Sequence, residues 1–366
     1  MDRATKERLL QEFDGRVAAY AALSSYSQKL LADLLRIERL KVLAVSDRVK
    51  DRESLSEKLS RPGKHYTNLQ EVTDVVGLRV VTFFEDEVDK VGQIVAKEFE
   101  LIPEHCVDRR SYAEPDRFGY KSLHYVCKLP RTRRELTEHG TYRDEMFEVQ
   151  IRSILQHAWA EIEHLGYKSP IAIPHEIKHR MSRVAGLLEI ADIEFMEVRD
   201  ASLGYRDQVA SEIEQNDLRD IELNSISYLE FIRSSPLVRE LDDFIKDEVH
   251  VEVDAAADAD EDFLVECLRS VNLLSIGELQ ERLQENLSLL KAFERVFLSE
   301  HAASSNVPLG PAISIFHLVQ IMSLKQGGIE GLAAFYDQHR ISGSGDVWKS
   351  AQDTANAVKL AEASLA

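Results

Sequence analysis

The alternation of apolar and polar residues near the middle of the chain predicts a strand with two different faces. Alternate side chains of a strand point to the same side, so Phe147, Val149 and Ile151 are expected to enter a core. The opposite face then carries Glu148, Gln150 and Arg152. A carboxylate, an amide and a guanidinium group therefore share one surface of this strand.

The residues that follow this strand repeat at helical spacing and predict a helix that begins at Ile154. The stripe expected to be polar carries His157, Glu161, His164 and Lys168. The stripe expected to be buried carries Ile154, Leu155, Ala158, Ile162 and Leu165. Two consecutive elements thus bury one side each and present polar groups on the other.

The rest of the first half alternates between helical and strand patterns. Leucine-rich spacing from Thr5 to Val45 predicts one or two amphipathic helices, and the basic run from Arg48 to Leu59 predicts the entry into a short helix. Val75–Phe84, 101–107 and 119–129 are predicted strands, and Asp86–Phe99 is a predicted helix. Such alternation indicates a mixed α/β sheet.

The second half shows helical periodicity alone. The predicted helices are Ile177–Val198, Ile221–Phe231, Leu237–Val249, Ile276–Phe297, Pro311–Leu324 and Val347–Ala361. The acidic run 254–262 is predicted to be an exposed loop. We therefore expect an α/β domain over residues 1–170 and an all-α domain over residues 171–366, with a regulatory or oligomerising role for the second.

The composition of the chain disfavours some classes of function. With 366 residues, 44% hydrophobic and 30% charged, the chain has the make-up of a folded protein. No apolar run is long enough to cross a bilayer, the start lacks the apolar core of a secretion signal, and three widely separated cysteines suit a reducing compartment, so we expect a cytoplasmic protein without membrane contact. A net charge of -19 disfavours general binding to nucleic acid, whereas local basic clusters suggest a small polyphosphate ligand.

Two carboxylates at strand positions, Asp74 and Glu148, are the candidates for metal binding. Carboxylate oxygens suit Mg²⁺, which commonly bridges to the phosphates of a substrate. Arginines and lysines around them would neutralise a triphosphate, and Tyr120 beside Gly119 could stack on a base. This equipment is typical of phosphoryl or pyrophosphoryl transfer.

At these positions the sequence resembles the RelA/SpoT nucleotidyltransferase family, in particular its small alarmone synthetase branch. The matching motifs, in the order of the family, are Arg48-x-Lys50 with Ser54 and Lys58, Asp74-x-x-Gly77-x-Arg79, Gly119-Tyr120-x-Ser122-x-His124, Glu148-x-Gln150-Ile151-Arg152, and Trp159-Ala160-Glu161-x-x-His164 with Tyr167-Lys168. The resemblance covers roughly residues 40–170. It implies a transfer of the β,γ-pyrophosphate of ATP to the 3′-hydroxyl of GDP or GTP, which makes the alarmone (p)ppGpp.

The resemblance also implies a role for each candidate residue. Asp74 and Glu148 would hold Mg²⁺, and Glu148 would take the proton from the attacking hydroxyl. The implied ATP contacts are Arg48, Lys50, Ser54, Lys58 and Arg79. The implied acceptor contacts are Tyr120, which would stack on guanine, with His124, Arg109 and Lys121. The implied supporting residues are Gln150, Arg152, His157 and Glu161.

Alternatives stay open at this point. Many family members carry Pro-Lys-x-Asn before Gly-Tyr, where this chain has Pro115-Asp116-Arg117-Phe118. A toxin-type enzyme that pyrophosphorylates the tRNA 3′ end, an adenosine nucleotide as acceptor, and a nucleotide-binding module without catalysis are therefore retained as hypotheses. The partners of the helical half are equally open between further copies of the chain, an antitoxin and another regulator.

Overall fold

The computed structural model describes residues 2–108, 122–164, 174–253, 260–301, 309–341 and 345–366. The chain forms two compact units, Met1–Asp200 and Ala201–Ala366. The first contains a mixed sheet with helices, and the described part of the second is helical, which confirms the predicted fold class. The domain boundary predicted near residue 170 lies outside the described residues and stays a prediction. Within the described part, no helix has both the length and the apolar character that a membrane span requires.

The sheet of the first unit contains strands that run both parallel and antiparallel. The strands are β1 (Ala44–Val49), β2 (Val76–Thr82), β3 (Glu100–Leu101), β4 (Val107–Asp108), β5 (Leu123–Lys128) and β6 (Phe147–Ser153). Their order is β1-β2-β6-β5-β3, and β4 also pairs with β5. The central strands β2 and β6 are parallel, and the other pairs are antiparallel. The strand predicted from Phe147 lies in the interior of this sheet.

The first unit also contains helices, some of which pack on one face of the sheet and contribute to its core. They are α1 (Arg3–Ile37), α2 (Arg52–Leu59), α3 (Asp86–Glu98), α4 (Arg131–Arg134), α5 (Ile154–His164) and the start of α6 (His175–Glu214). Phe147, Val149 and Ile151 are fully buried in one cluster with apolar residues of α1 and α3. Because one face of β6 is committed to this core, its alternate residues must face the other way.

Three local predictions for the first unit were wrong. The segment from Ala44 to Val49 is an edge strand, not the end of a helix or the entry into one, and α2 begins only at Arg52. The strand predicted over 101–107 is two short pieces separated by a 3₁₀ turn at Pro103–His105. On α5, Ile154 and Ile162 are exposed.

The buried side of α5 is formed by other residues than those predicted. Gln156 and Trp159 are buried. Gln156 accepts the backbone N–H of Ser153 at 3.0 Å, and its own N–H donates to Ser153 Oγ at 3.1 Å. This reciprocal pairing at the helix start satisfies groups that have no partner inside the helix, and it outweighs the apolar character of Ile154.

The second unit is a helical domain with its own core. Its helices after α6 are α7 (Ser225–Ser234), α8 (Pro236–Phe244) with a π-helical turn at Ile245–Val249, α9 (Glu261–Ser270), α10 (Ile276–Glu285), α11 (Leu287–His301), α12 (Ile313–Gln338) and α13 (Val347–Leu365). Tyr228, Phe231 and Phe293 are fully buried in this core. Helix α9 was missing from the prediction, and it starts inside the acidic run that had been assigned to a loop. Residues 254–259 of that run lie outside the described part.

Candidate active site

The polar face of the sheet brings together residues from four strands. Arg48 of β1, Gly77 of β2 and Glu148 of β6 lie side by side in register. Two residues further along β6, Gln150 lies between Arg79 of β2 and His124 of β5. Since paired residues on neighbouring strands point to the same side, this face gathers carboxylate, amide, imidazole and guanidinium groups.

Glu148 is held by two hydrogen-bond donors on this face. His124 Nδ1 lies 2.8 Å from Glu148 Oε1, and Gln150 Nε2 donates to Glu148 Oε2 at 2.8 Å. An ionised carboxylate only accepts hydrogen bonds, so Nδ1 of His124 carries the proton. Burial alone would raise the pKa of Glu148, but the donors His124 and Gln150 outweigh it, and the pKa lies below its usual range. Glu148 is therefore ionised near neutral pH.

The hydrogen bonds continue on both sides of Glu148. Nε2 of His124 lies 2.6 Å from the hydroxyl oxygen of Ser122. On the other side, Arg152 donates to Gln150 Oε1 at 3.0 Å. The chain Ser122–His124–Glu148–Gln150–Arg152 fixes the orientation of the carboxylate, because each member is itself positioned by the next.

Asp74 lies just before β2 and is bound by two lysines. Lys58 donates to Asp74 Oδ1 at 2.6 Å, and Lys50 lies 3.1 Å from Oδ2. Burial would raise the pKa of Asp74, but the two ammonium groups outweigh it and lower the pKa below its usual range. Lys58 lies on the short helix α2, and Lys50 directly follows the last residue of β1.

Asp74 and Glu148 open into the same cleft. This cleft has a volume of about 310 Å³. It is lined by Ser46, Asp47, Arg48, Asp74, Gly77, Leu78, Arg79, Glu148, Gln150 and Glu161. The two carboxylates also interact electrostatically, because the charge of Asp74 opposes the lowering of the Glu148 pKa. Both residues that were predicted to bind the metal therefore line one cleft, and their role in metal binding stays a prediction.

A second ion pair borders the cleft at α5. Arg79 donates to Glu161 Oε1 at 2.8 Å, and His157 Nδ1 lies 3.6 Å from the same oxygen. Burial and the nearby Arg79 lower the pKa of His157 below its usual range, against the opposing effect of Glu161. Arg79 and Glu161 line the cleft themselves, whereas His157 is not among the lining residues.

The donor set of the cleft fits Mg²⁺. Two carboxylates converge there, and Mg²⁺ usually takes one or two protein carboxylates and completes its shell with water and substrate phosphates. The unfavourable effect of Asp74 on the ionisation of Glu148 is one that a cation between them would relieve. Among the described residues, no group of three or more His, Cys, Asp or Glu side chains could hold a metal ion. The two carboxylates therefore suit an ion that completes its coordination shell with oxygen atoms of water and of the substrate.

Other predicted residues are placed differently or not at all. Ser54 lies in the first turn of α2, where its backbone N–H and its hydroxyl both donate to the N-cap residue Asp51 at 2.8 Å, and it is not among the residues that line the cleft. Arg109, Tyr120 and Lys121 lie outside the described residues, so their acceptor roles stay predictions. Of the predicted acceptor residues, only His124 is described, and it contacts Glu148.

The prediction missed residues that the fold brings to the site. Ser46 and Asp47 line the cleft, and they were missed because β1 had been interpreted as part of a helix. Asp192 of α6 is buried and accepts the hydroxyl of Ser153 at 2.8 Å, directly at the end of the Glu148 strand. An acidic residue on a long amphipathic helix gives no sequence signal for such a contact.

The first half of the chain is similar to known proteins. Residues 47–171 match the family described as the region found in RelA / SpoT proteins. The GTP pyrophosphokinase YjbM of Bacillus subtilis (strain 168) is 32% identical over 159 residues, which are 42% of this chain and 71% of the relative. The GTP pyrophosphokinase YwaC of the same organism is 27% identical over 157 residues, with the same shares of 42% and 71%.

Solved structures similar to this chain include the small alarmone synthetase 1 from Bacillus subtilis, with 26% identity and a TM-score of 0.44 over 52% of this chain and 97% of that chain. A form of it bound to its product pppGpp has 24% identity and a TM-score of 0.45 over 52% and 98%. The matched region contains Arg48, Asp74 and Glu148. With 32% identity to a relative of which it covers 71%, the chain belongs to the RelA/SpoT family of pyrophosphokinases.

Proposed function

We propose that the first unit transfers the β,γ-pyrophosphate of ATP to the 3′-hydroxyl of a guanosine nucleotide, GDP or GTP, and so makes (p)ppGpp. The observation that carries the proposal is the convergence of Asp74 and Glu148 in one cleft whose other walls include Arg48 and Arg79. The names of both curated relatives, GTP pyrophosphokinases, support guanosine as the acceptor.

Glu148 acts as the general base in this proposal. It is ionised, and two donors hold its oxygens in fixed directions, so a lone pair can be aimed at the 3′-hydroxyl without reorganisation. His124 and Gln150 keep the carboxylate in place as the hydroxyl proton arrives. The proton then resides on Glu148 until it passes to solvent.

The ATP side of the cleft is basic. Arg48 and Arg79 line it, and guanidinium groups bind phosphate oxygens in a two-pronged geometry that orients the transferred group. Lys50 and Lys58 stand next to them and contact Asp74. A Mg²⁺ ion held by Asp74 and Glu148 would neutralise charge on the triphosphate. The protein side chains supply the positioning, which is the main part of catalysis in this type of transfer.

A labelled-product experiment tests the proposal. The purified chain is incubated with Mg²⁺ and ATP labelled in the γ-phosphate, together with GDP, GTP, an adenosine nucleotide or bulk tRNA in separate reactions. We expect release of AMP and label in a guanosine nucleotide that carries a 3′-pyrophosphate. Label in RNA, or in an adenosine nucleotide that carries a 3′-pyrophosphate, would overturn the acceptor assignment, and no AMP release with any acceptor would overturn the activity.

A pair of matched variants tests the site. Glu148→Gln keeps the shape of the side chain and removes its basicity, so we expect activity to fall at least about a hundredfold. Glu57→Gln makes the same chemical change on the exposed side of α2, outside the cleft, and should leave the rate unchanged. A Glu148→Gln variant with a near wild-type rate would show that Glu148 is not the base.

A further inference from the structure

A glycine lies at the bottom of the cleft, in a row of positions on the polar side of the sheet. Arg48, Gly77 and Glu148 are paired in register across β1, β2 and β6. Strand β2 lies in the interior of the sheet, and Val76 and Leu78, on either side of Gly77, are buried. Glycine weakens the interior of a strand, because it loses much backbone freedom on folding and has no side chain to pack. Gly77 therefore needs a physical explanation.

Neither the backbone nor the packing of the first unit requires a glycine at position 77. The φ angle of Gly77 lies outside the left-handed region that favours glycine. Among the described residues, the only atoms within 4 Å of a Cβ atom placed there would be Cγ and Nε of Arg48, both at 3.8 Å. That distance is ordinary van der Waals contact, so an alanine would touch the Arg48 side chain without displacing it.

Gly92 of α3 shows how a packing requirement differs within the same unit. A Cβ atom at Gly92 would lie 2.8 Å from Cδ2 of Leu123 and 3.5 Å from Cε2 of Tyr125. An alanine there would have to push a buried side chain of β5 aside, which is unfavourable in a packed core. Gly77 instead lines the cleft. We call the space above it, between Arg48 and Glu148, the Gly77 subsite.

The groups that border the Gly77 subsite carry charges of both signs. On one side, the guanidinium group of Arg48 has no ion partner in the described part of the chain. On the other side lies the ionised carboxylate of Glu148, and Asp74 opens into the same cleft. A phosphate group suits both borders, because a guanidinium group binds its oxygens directly and carboxylates can bind it through a shared Mg²⁺ ion.

The chemistry of the proposed transfer indicates which phosphate lies there. The 3′-oxygen of the acceptor forms a bond to the β-phosphorus of ATP, the bond from that phosphorus to the oxygen of the α-phosphate breaks, and AMP leaves with this oxygen. The hydroxyl proton passes to Glu148, so the β-phosphate must lie next to a hydroxyl that itself contacts Glu148. A position between Arg48 and Glu148 meets this requirement.

We propose that Gly77 is a specificity-determining residue for the pyrophosphate donor, because its missing side chain lets the β-phosphate of ATP lie directly against the sheet in the Gly77 subsite. Glycine inside a strand often marks such a close approach of a ligand. The methyl group of an alanine would fill the subsite and hold the phosphate away from Arg48 and Glu148. This role depends on the proposed function, which makes ATP the pyrophosphate donor, and it assigns one phosphate of ATP to one place in the cleft.

Binding measurements on the full chain test the Gly77 subsite without turnover. The probe is α,β-methylene ATP with Mg²⁺, in which a methylene group replaces the oxygen that leaves with AMP, and its affinity is measured by isothermal titration calorimetry. We expect Gly77→Ala to weaken this binding at least about tenfold, because the phosphate is displaced from its contacts. The affinity for AMP, which has no β-phosphate, should stay the same. Gly15→Ala makes the same change on an exposed part of α1 and should bind both ligands as the wild type does.

Urea unfolding without nucleotide separates this role from a structural one. It is followed by the fluorescence of Trp159 in a Trp348→Phe background, and we expect Gly77→Ala to be at least as stable as Gly77 in that background, since its methyl group meets only ordinary contacts. A destabilised Gly77→Ala, an unchanged affinity for α,β-methylene ATP, or an equal loss of affinity for AMP would overturn the Gly77 subsite. A wild type that binds no α,β-methylene ATP would instead overturn ATP as the pyrophosphate donor, and the subsite with it.

Discussion

Replacing Asp74 by asparagine should destabilise the first unit in addition to its effect on catalysis. The substitution keeps the shape of the side chain but leaves the ammonium groups of Lys50 and Lys58 without an anion, and these side chains are only 10% and 14% exposed. At separations of 3.1 and 2.6 Å, each attraction is about 5–6 kcal/mol at an effective dielectric constant of about 20, before the cost of desolvation.

Most of that attraction is offset by desolvation in the native protein. Breaking a buried pair by removing one partner typically costs about 3–5 kcal/mol, because the other charge stays buried without compensation. The Asp74 side chain is 23% exposed, so water can partly solvate the lysines of the variant. We therefore expect Asp74→Asn to lower the free energy of unfolding of the first unit by about 2–3 kcal/mol at pH 7.

The two tryptophans allow this unit to be followed separately. Trp159 is buried in α5 of the first unit, and Trp348 is exposed in the second. In a Trp348→Phe background, urea unfolding monitored by fluorescence reports on Trp159, without nucleotide or divalent metal. Asp33→Asn is the control, because Asp33 forms an exposed pair with Arg36 and no other ion pair within the described part of the chain, and it should cost less than about 1 kcal/mol.

The stabilisation by Asp74 should depend on pH in one direction. Because the folded pKa of Asp74 is lowered from its ordinary value of 3.8, its stabilisation is fully present above that value and is lost as the pH falls through the folded pKa. The difference between wild type and Asp74→Asn should therefore be largest at neutral pH and shrink below pH 3.8. Equal stability of the two proteins at pH 7, or a difference that grows on acidification, would refute the reasoning.

Two further substitutions test Glu148 and the second unit. His124→Phe removes a hydrogen-bond donor to Glu148, so the pKa of Glu148 should rise. The acid limb of the pH profile of kcat/KM should then move to higher pH. An acid limb at the same pH as in the wild type would contradict this expectation. Gly277→Ala would put a Cβ 3.0 Å from the carbonyl oxygen of Leu218, and urea unfolding should show a loss of about 1–3 kcal/mol. Gly15→Ala, with nothing within 4 Å, should instead gain up to about 1 kcal/mol; equal effects would contradict the packing argument.

The face of β6 could be predicted because its two sides differ so strongly in polarity. Val149 and Ile151 must be buried, and a period of two then leaves no choice for Glu148 and Gln150. Strand β1 lacked this signal. It is an edge strand with no fully buried residue, so its sequence shows no alternation, and its place is decided by pairing with β2.

Contacts between residues far apart in the sequence were harder to predict than which residues share one face of a strand. The sequence suggested that Asp74 and Glu148 converge, but only through the family resemblance, since neither periodicity nor composition encodes which loops meet. The contact of Asp192 with Ser153 depends on how α6 packs on the sheet. Helix α9 was missed because its first residues continue an acidic run, although Asp260 caps it by accepting the N–H of Phe263.

The arrangement around Asp74 suits a site that must receive a triphosphate. Two ammonium groups face one carboxylate, so the cluster carries excess positive charge in a place that is mostly shielded from water. A lysine ammonium group has three donors without a fixed plane, so it can exchange a carboxylate oxygen for a phosphate oxygen and keep a charge-assisted hydrogen bond. On the proposed function, that exchange would free the oxygens of Asp74 on the side of the cleft that Glu148 also lines. The charges that stabilise the fold without substrate would then be the ones that bind it.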